Sequence, residues 1–215
     1  MIRTTKQLQN ETLAYALAHS SLPTEILYEL ERETHLKTLA PQMMSGPLQG
    51  QLFSLISKMI QPKAILEIGT FTAYASICLA QGLAKDGVLH TIEVNEELEY
   101  LIRKYLKKAN LEQQVQLHIG DAKQIVPSLS EQFDLVFIDA GKNDNAFYYD
   151  LALERLTTGG YLLVDNVLWS GKVIRGGQDT DTERIRAFNA KVQQDKRVEN
   201  VLLPIRDGLF LIRKL

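Results

Sequence analysis

The sequence has one cysteine, Cys78, so no intramolecular disulfide framework exists. Set in Ser-Ile-Cys-Leu-Ala, it reads as a small buried apolar residue rather than a nucleophile. No apolar run approaches membrane-spanning length, and the N-terminus lacks the apolar core of a signal peptide. Both absences point to a cytoplasmic protein with no membrane partner. Excess charge of one sign is also missing: 26 acidic against 24 basic residues leave a net charge of −2. That argues against broad affinity for nucleic acid or membranes, while a local basic patch stays open. The four histidines form no metal constellation, since His90 and His118 lie in strand-like runs without ligand spacing and His19 and His35 sit in polar surroundings.

Two phosphate-binding signatures are absent as well. No Gly-Lys-[Ser/Thr] follows a strand-like run, which excludes a P-loop. A dinucleotide fingerprint needs three glycines, yet the run from Gly69 reads Gly69-Thr70-Phe71-Thr72-Ala73-Tyr74. Phe71 and Tyr74 stand where the second and third glycines let backbone approach a pyrophosphate. The expected ligand is a nucleoside without a polyphosphate.

What is there suits one domain of 215 residues, with N-terminal helices over 1–60 and an α/β core over 61–215. Leu8, Leu13, Leu17 and then Ile26, Leu27, Leu30 fall at helical spacings, with Pro23-Thr24-Glu25 as a helix start. Gly46-Pro47 opens a third helix, whose Leu48, Leu52, Leu55, Ile56 and Met59 predict one buried stripe ended by Pro62. Met43-Met44-Ser45-Gly46 is a turn just before that helix, a place where ligand contacts often lie. Beyond it, short apolar runs at 64–68, 88–94, 115–119, 133–138 and 161–164 alternate with helical stretches at 75–84, 96–109 and 145–156. That alternation predicts a parallel sheet covered on both faces. Residues 201–205 and 209–213, joined by Arg206-Asp207-Gly208, read as a C-terminal hairpin.

Every one of the five parallel strands closes on an acid: Glu67, Glu93, Asp121, Asp139 and Asp165. In an open α/β sheet the ligand crevice lies beyond the carboxyl ends of the strands, and right-handed crossovers bring all five ends to one edge. Glu93 lies 24 residues after Gly69, near where an acid accepts the hydroxyls of a ribose. S-adenosylmethionine (SAM) fits, having adenine and ribose, no pyrophosphate, and an amino-acid tail whose ammonium would lie near Glu67 and Gly69.

The runs Leu66-Glu67-Ile68-Gly69-Thr70-Phe71-Thr72-Ala73-Tyr74, Thr91-Ile92-Glu93-Val94-Asn95, Gly120-Asp121-Ala122, Phe137-Ile138-Asp139-Ala140-Gly141-Lys142 and Val164-Asp165-Asn166-Val167-Leu168-Trp169 occur in that order. Together they resemble the metal-dependent class I O-methyltransferases of the caffeoyl-CoA and catechol type. The resemblance implies a Rossmann-like fold with a mostly parallel seven-stranded sheet, helices on both faces and an antiparallel C-terminal hairpin. It implies cofactor contacts at Ser45, Glu67, Gly69, Thr70, Phe71, Glu93, Asp121, Ala122 and Asp139, and a homodimer. Three positions depart from the family pattern. Ala73 replaces a frequent glycine, Ala75 a frequent serine that touches the cofactor carboxylate, and Gly141 an aspartate. Ser76 does not take over from Ala75, because one step along a helix turns the side chain by about 100°.

Asp139, Asp165 and Asn166 offer three oxygen ligands from two strand ends, a set suited to Mg²⁺, Ca²⁺ or Mn²⁺. Two adjacent oxygens of a phenolic acceptor would chelate such an ion, which would lower the pKa of the one to be methylated. Lys142 is the candidate general base beside Asp139, its charged form disfavoured by a cation and a sulfonium nearby. The expected activity is SAM-dependent methylation of a catechol-like hydroxyl. Two alternatives stay open: methylation of hydroxyuridine in tRNA, with a basic face of Arg103, Lys104, Lys107 and Lys108, and a non-catalytic SAM-binding protein. Gly176-Gly177 and the polar segment 173–182 read as a mobile loop over the acceptor, and Trp169 reads either as a stacking face for an aromatic acceptor or as a core residue.

Overall fold

The computed structural model describes residues 5–141 and 144–215. Three helices come first: α1 (Thr5–Ala18), α2 (Glu25–Lys37) and α3 (Gly46–Ile60). Strands and helices then alternate through β1 (Ala64–Ile68), α4 (Tyr74–Ala80), β2 (Val88–Glu93), α5 (Glu99–Lys108), β3 (Val115–Ile119), α6 (Ala122–Ser128), β4 (Phe133–Ile138), α7 (Asn145–Arg155) and β5 (Leu156–Asp165). The chain closes with α8 (Thr180–Gln194), β6 (Val198–Leu203) and β7 (Leu209–Lys214). The seven strands lie in the order β3-β2-β1-β4-β5-β7-β6. The first five are parallel, and β7 runs antiparallel between β5 and β6.

Period-two alternation sorts the strand side chains into two cores. Ile65, Leu89, Leu135, Phe137 and Leu163 face α2–α5, whereas Leu66, Ile68, Ile92, Val136, Ile138 and Val164 face α6–α8. The β1 strand is buried along its whole length, as a central strand covered on both sides must be. Strand order reverses between β1 and β4, so the crevice of this fold opens where those strands end, at Gly69 and Asp139.

The α3 stripe lies only partly where the periodicity of large apolar residues places it: Ile56 is buried and Leu52 packs against the core, but the buried face is shifted. Leu55 and Met59 are 49% and 83% exposed, while Gln49, Gly50, Phe53, Ser54, Ile56 and Ser57 are buried. The cause is close approach to α4: a Cβ on Gly50 would lie 2.6 Å from Tyr74 Cε1 and 2.8 Å from Cys78 Sγ. Small residues therefore form the contact, and Ser57 Oγ donates to Leu79 O at 2.6 Å. Leu8 and Leu13 of α1 are likewise about half exposed, whereas Leu27 and Leu30 of α2 are buried. Segment 173–182 is not one loop, since Asp179 caps α8 by accepting from Thr182 N at 3.0 Å and the helix begins within the segment. Among the described residues no helix is long and apolar enough to cross a membrane.

Candidate active site

The β1–α4 turn is built for close backbone approach. Gly69 has φ 98°, and a Cβ there would sit 2.1 Å from the Asp139 carbonyl oxygen, so only glycine fits between β1 and β4. Asp139 N donates to Ile68 O at 2.9 Å and Gly69 N to Ile92 O at 3.0 Å, carrying the ladders one residue past the strand ends. Ala73, at φ 71°, holds the left-handed conformation that a glycine accepts without strain. A recess at this edge is lined by Met44, Ser45, Gly69, Thr70, Phe71 and Asp139. Five of the nine residues assigned to the cofactor from sequence thus share one recess with the turn before α3.

The others lie around it. Glu93 is buried and accepts Phe71 N at 2.7 Å on one oxygen and Asn95 N at 2.8 Å on the other. It ties the glycine turn to the end of β2 while each oxygen keeps a lone pair for a further donor. Asp121 is exposed and caps α6 by accepting from Lys123 N at 2.9 Å, and Ala122 is buried beside it.

Glu67 is wholly buried beneath the glycine turn. Ser76 Oγ and Thr91 Oγ1 both donate to its Oε2, the latter at 2.6 Å, while its Oε1 has no hydrogen-bond partner among the described residues. Burial, reinforced by the negative charges of Asp139 and Glu93, pushes the carboxyl pKa up to about 8. Ser76 is spent on Glu67 and points into the core, consistent with its not replacing a serine at position 75.

Asp139 follows β4 and Asp165 is the last residue of the parallel neighbour β5, Ile138 being registered against Val164, so the two acids stand at neighbouring strand ends. Asp165 is buried, and its carboxylate accepts Asn166 N at 2.8 Å and Gln49 Nε2 at 2.9 Å. Asn166 sits at φ 64°, a left-handed conformation that asparagine tolerates better than most residues. Among the described residues, both hydrogen-bond donors to Asp165 are neutral. Also among the described residues, no group of three or more His, Cys, Asp or Glu side chains could hold a metal ion, so a cation here would take Asn166 as its third protein donor. Lys142, the candidate base, lies outside the described residues.

Next along the chain, Trp169 opens a short 3₁₀ turn, Trp169–Gly171, with Lys172 Nζ over its ring at 5.5 Å from the centroid. The basic face of α5 is largely neutralised: Lys104 pairs with Glu33, Lys108 with Glu29 and Arg103 with Glu99. Sequence reading missed Thr91 and Ser76 as partners of Glu67, and Gln49 as a partner of Asp165. No local signal marks Gln49, which reaches Asp165 from 116 positions away.

A family model described as O-methyltransferase matches residues 17–215. A relative from Dictyostelium discoideum named probable caffeoyl-CoA O-methyltransferase 2 is 33% identical over 216 residues, covering 97% of this chain and 94% of its own. The mouse protein named catechol O-methyltransferase domain-containing protein 1 is 36% identical over 212 residues, covering 96% of this chain and 80% of its own. The crystal structure of an O-methyltransferase from Streptomyces achromogenes, involved in tomaymycin synthesis and solved with SAM, superposes with a TM-score of 0.89 at 28% identity, over 99% of both chains.

Proposed function

The chain belongs to the O-methyltransferase family, and from that premise we propose that it is a divalent-cation-dependent enzyme that methylates a phenolic hydroxyl with a neighbouring oxygen. That it is a SAM-dependent O-methyltransferase follows from the family and its SAM-bound structural relative. The observation that supports the finer reading is the state of Asp165. A buried carboxylate beside a second acid, served among the described residues only by neutral donors, gains strongly from a cation. The oxygen donors of Asp139, Asp165 and Asn166 fit a hard ion such as Mg²⁺, with Ca²⁺ and Mn²⁺ as alternatives. When bound, the cation would supply the positive charge that favours an ionised acceptor hydroxyl.

The remaining roles fall to the chain itself. Glu93 directs its free lone pairs to the ribose hydroxyls, and Gly69, Thr70 and Phe71 line the recess that takes the cofactor. The orphaned, buried Glu67 Oε1 suits the ammonium of the cofactor's tail. Ser45, Asp121 and Ala122 complete the cofactor contacts, and Lys142 takes the acceptor proton. Trp169 offers a flat apolar face to an aromatic acceptor. The exposed Leu55 and Met59, with Leu36 and Leu39, support a homodimer through the N-terminal helices.

A tRNA acceptor is the less favoured reading, because Arg103, Lys104 and Lys108 are already paired within the fold. The deciding experiment incubates the protein with labelled methyl donor and Mg²⁺ against catechols, hydroxycinnamoyl-CoA esters and undermethylated tRNA, with and without chelator. Label in a vicinal phenol, lost on chelation, is the expected result. Label only in tRNA, label unaffected by chelator, or cofactor binding with no transfer would each overturn the proposal.

A further inference from the structure

Arg206 stands at φ 51° in the turn between β6 and β7, a left-handed conformation that costs a side-chain-bearing residue about 1 kcal/mol. Its guanidinium reaches across to the segment before α3. It donates to Met44 O at 2.7 Å, to Ser45 O, to Gln42 O at 3.1 Å and to Gln49 Oε1 at 3.0 Å. Gln49 is fully buried and passes its Nε2 to Asp165 Oδ2 at 2.9 Å. A guanidinium only donates and a carboxylate only accepts. The amide between them therefore has one workable orientation, oxygen toward Arg206 and nitrogen toward Asp165.

The same turn also grips the chain beyond the strand-end acids. Leu168 N donates to Asp207 O at 2.8 Å, Val167 N to Gly208 O at 3.2 Å, and Ser170 N to the Asp207 carboxylate. A Cβ on Gly208 would lie 2.5 Å from Leu168 Cγ, so the approach needs glycine at φ 86°.

We propose that the 206–208 turn is a clamp that positions both halves of the active site, with Arg206 as its coupling residue. Through Gln49, Arg206 orients the Asp165 carboxylate toward the cation. Through the carbonyls of Met44 and Ser45, it seats the 42–45 segment against the cofactor. The inference rests on the reading of Asp165 as a cation ligand. Arg206 is a positioning residue, since it meets Asp165 only by way of Gln49. Outer partners that orient a ligating carboxylate typically contribute about 10–100-fold to metal affinity.

The test measures Mn²⁺ binding by electron paramagnetic resonance and S-adenosylhomocysteine binding by calorimetry on the full chain. Wild type is compared with Arg206→Ala, Arg206→Lys and Gln49→Leu, each checked for a cooperative thermal transition. Arg206→Ala and Gln49→Leu should both weaken Mn²⁺ binding about tenfold or more. Arg206→Ala should also weaken S-adenosylhomocysteine without metal, by about tenfold, whereas Gln49→Leu should not. Arg206→Lys, which keeps a donor but loses the fork, should recover part of both. A purely structural role predicts instead a common fall in stability with unchanged Mn²⁺ affinity. Wild-type Mn²⁺ binding with no change in either variant overturns the clamp alone. A wild type that binds no Mn²⁺ overturns the cation reading, and the clamp with it.

Discussion

Thr91 Oγ1 donates to Glu67 Oε2 at 2.6 Å across paired strands, and the carboxyl it serves is one that burial holds near pKa 8. An ordinary glutamate titrates near 4.5, so between those values the folded chain keeps a proton that the unfolded chain releases. The resulting stabilisation is complete below pH 4.5 and is lost as pH rises through 8. Thermal stability of the ligand-free protein should therefore fall between pH 5 and 8, with this group contributing a slope of up to about 1.4 kcal/mol per pH unit. Glu67→Gln keeps the shape and removes the titration, so its melting temperature should vary less over that interval. An unchanged profile in the variant would assign the slope to another group.

The strand-end acids make a second expectation. Asp139→Ala should lower Mg²⁺-dependent turnover by about 10²–10³-fold, the usual loss when a preorganised charge is removed. Cofactor binding, measured by calorimetry, should stay largely intact because Glu93, Gly69 and Phe71 remain in place. Normal turnover of this variant in the presence of chelator would leave no room for a cation mechanism.

Lys142 is testable by kinetics. If it takes the acceptor proton, Lys142→Ala should reduce kcat by about 10²–10⁴-fold and raise KM much less. The wild-type rate should rise with pH as the lysine loses its proton, and the variant should lose that limb. Superimposable pH profiles would remove Lys142 from the reaction.

How much of this was legible beforehand depends on whether the signal is local. The runs at 64–68 and 133–138 match β1 and β4, because central strands buried on both faces read as near-continuous apolar stretches, and the run at 115–119 matches the edge strand β3, where Val115, Leu117 and Ile119 alternate with polar residues. Their terminal acids needed only topology to converge. The α3 face is only partly legible, Ile56 and Leu52 facing the core as expected, because sequence periodicity counts large apolar residues, whereas Gly50, Ser54 and Ser57 are buried by close approach to α4. The helix α8 was hidden in a polar segment whose helical content rests on the Asp179 cap and on Ile185, Phe188 and Val192. The contacts of Gln49 with Asp165 and Arg206 span 116 and 157 positions, and only the folded chain brings them together.

Gly69 ties the site to the fold, and its replacement carries the sharpest steric expectation. In Gly69→Ala the new Cβ would lie 2.1 Å from the Asp139 carbonyl oxygen, inside any real contact distance. That neighbour is backbone of the next strand and cannot rotate away, so β1 or β4 must shift at the point where Asp139 leaves the sheet. The φ of 98° adds strain of its own, about 1 kcal/mol or more for a residue with a Cβ. The variant should melt at a lower temperature, and whatever folds should bind S-adenosylhomocysteine and Mn²⁺ both more weakly, because one displacement moves the cofactor turn and Asp139 together. A Gly46→Ala control, where among the described residues no atom beyond its chain neighbours and its own helix backbone lies within 4 Å of the added Cβ and φ is also positive at 74°, separates backbone strain from collision. If Gly46→Ala and Gly69→Ala lose the same amount of ligand affinity, the close packing of Gly69 on Asp139 is not what holds the site.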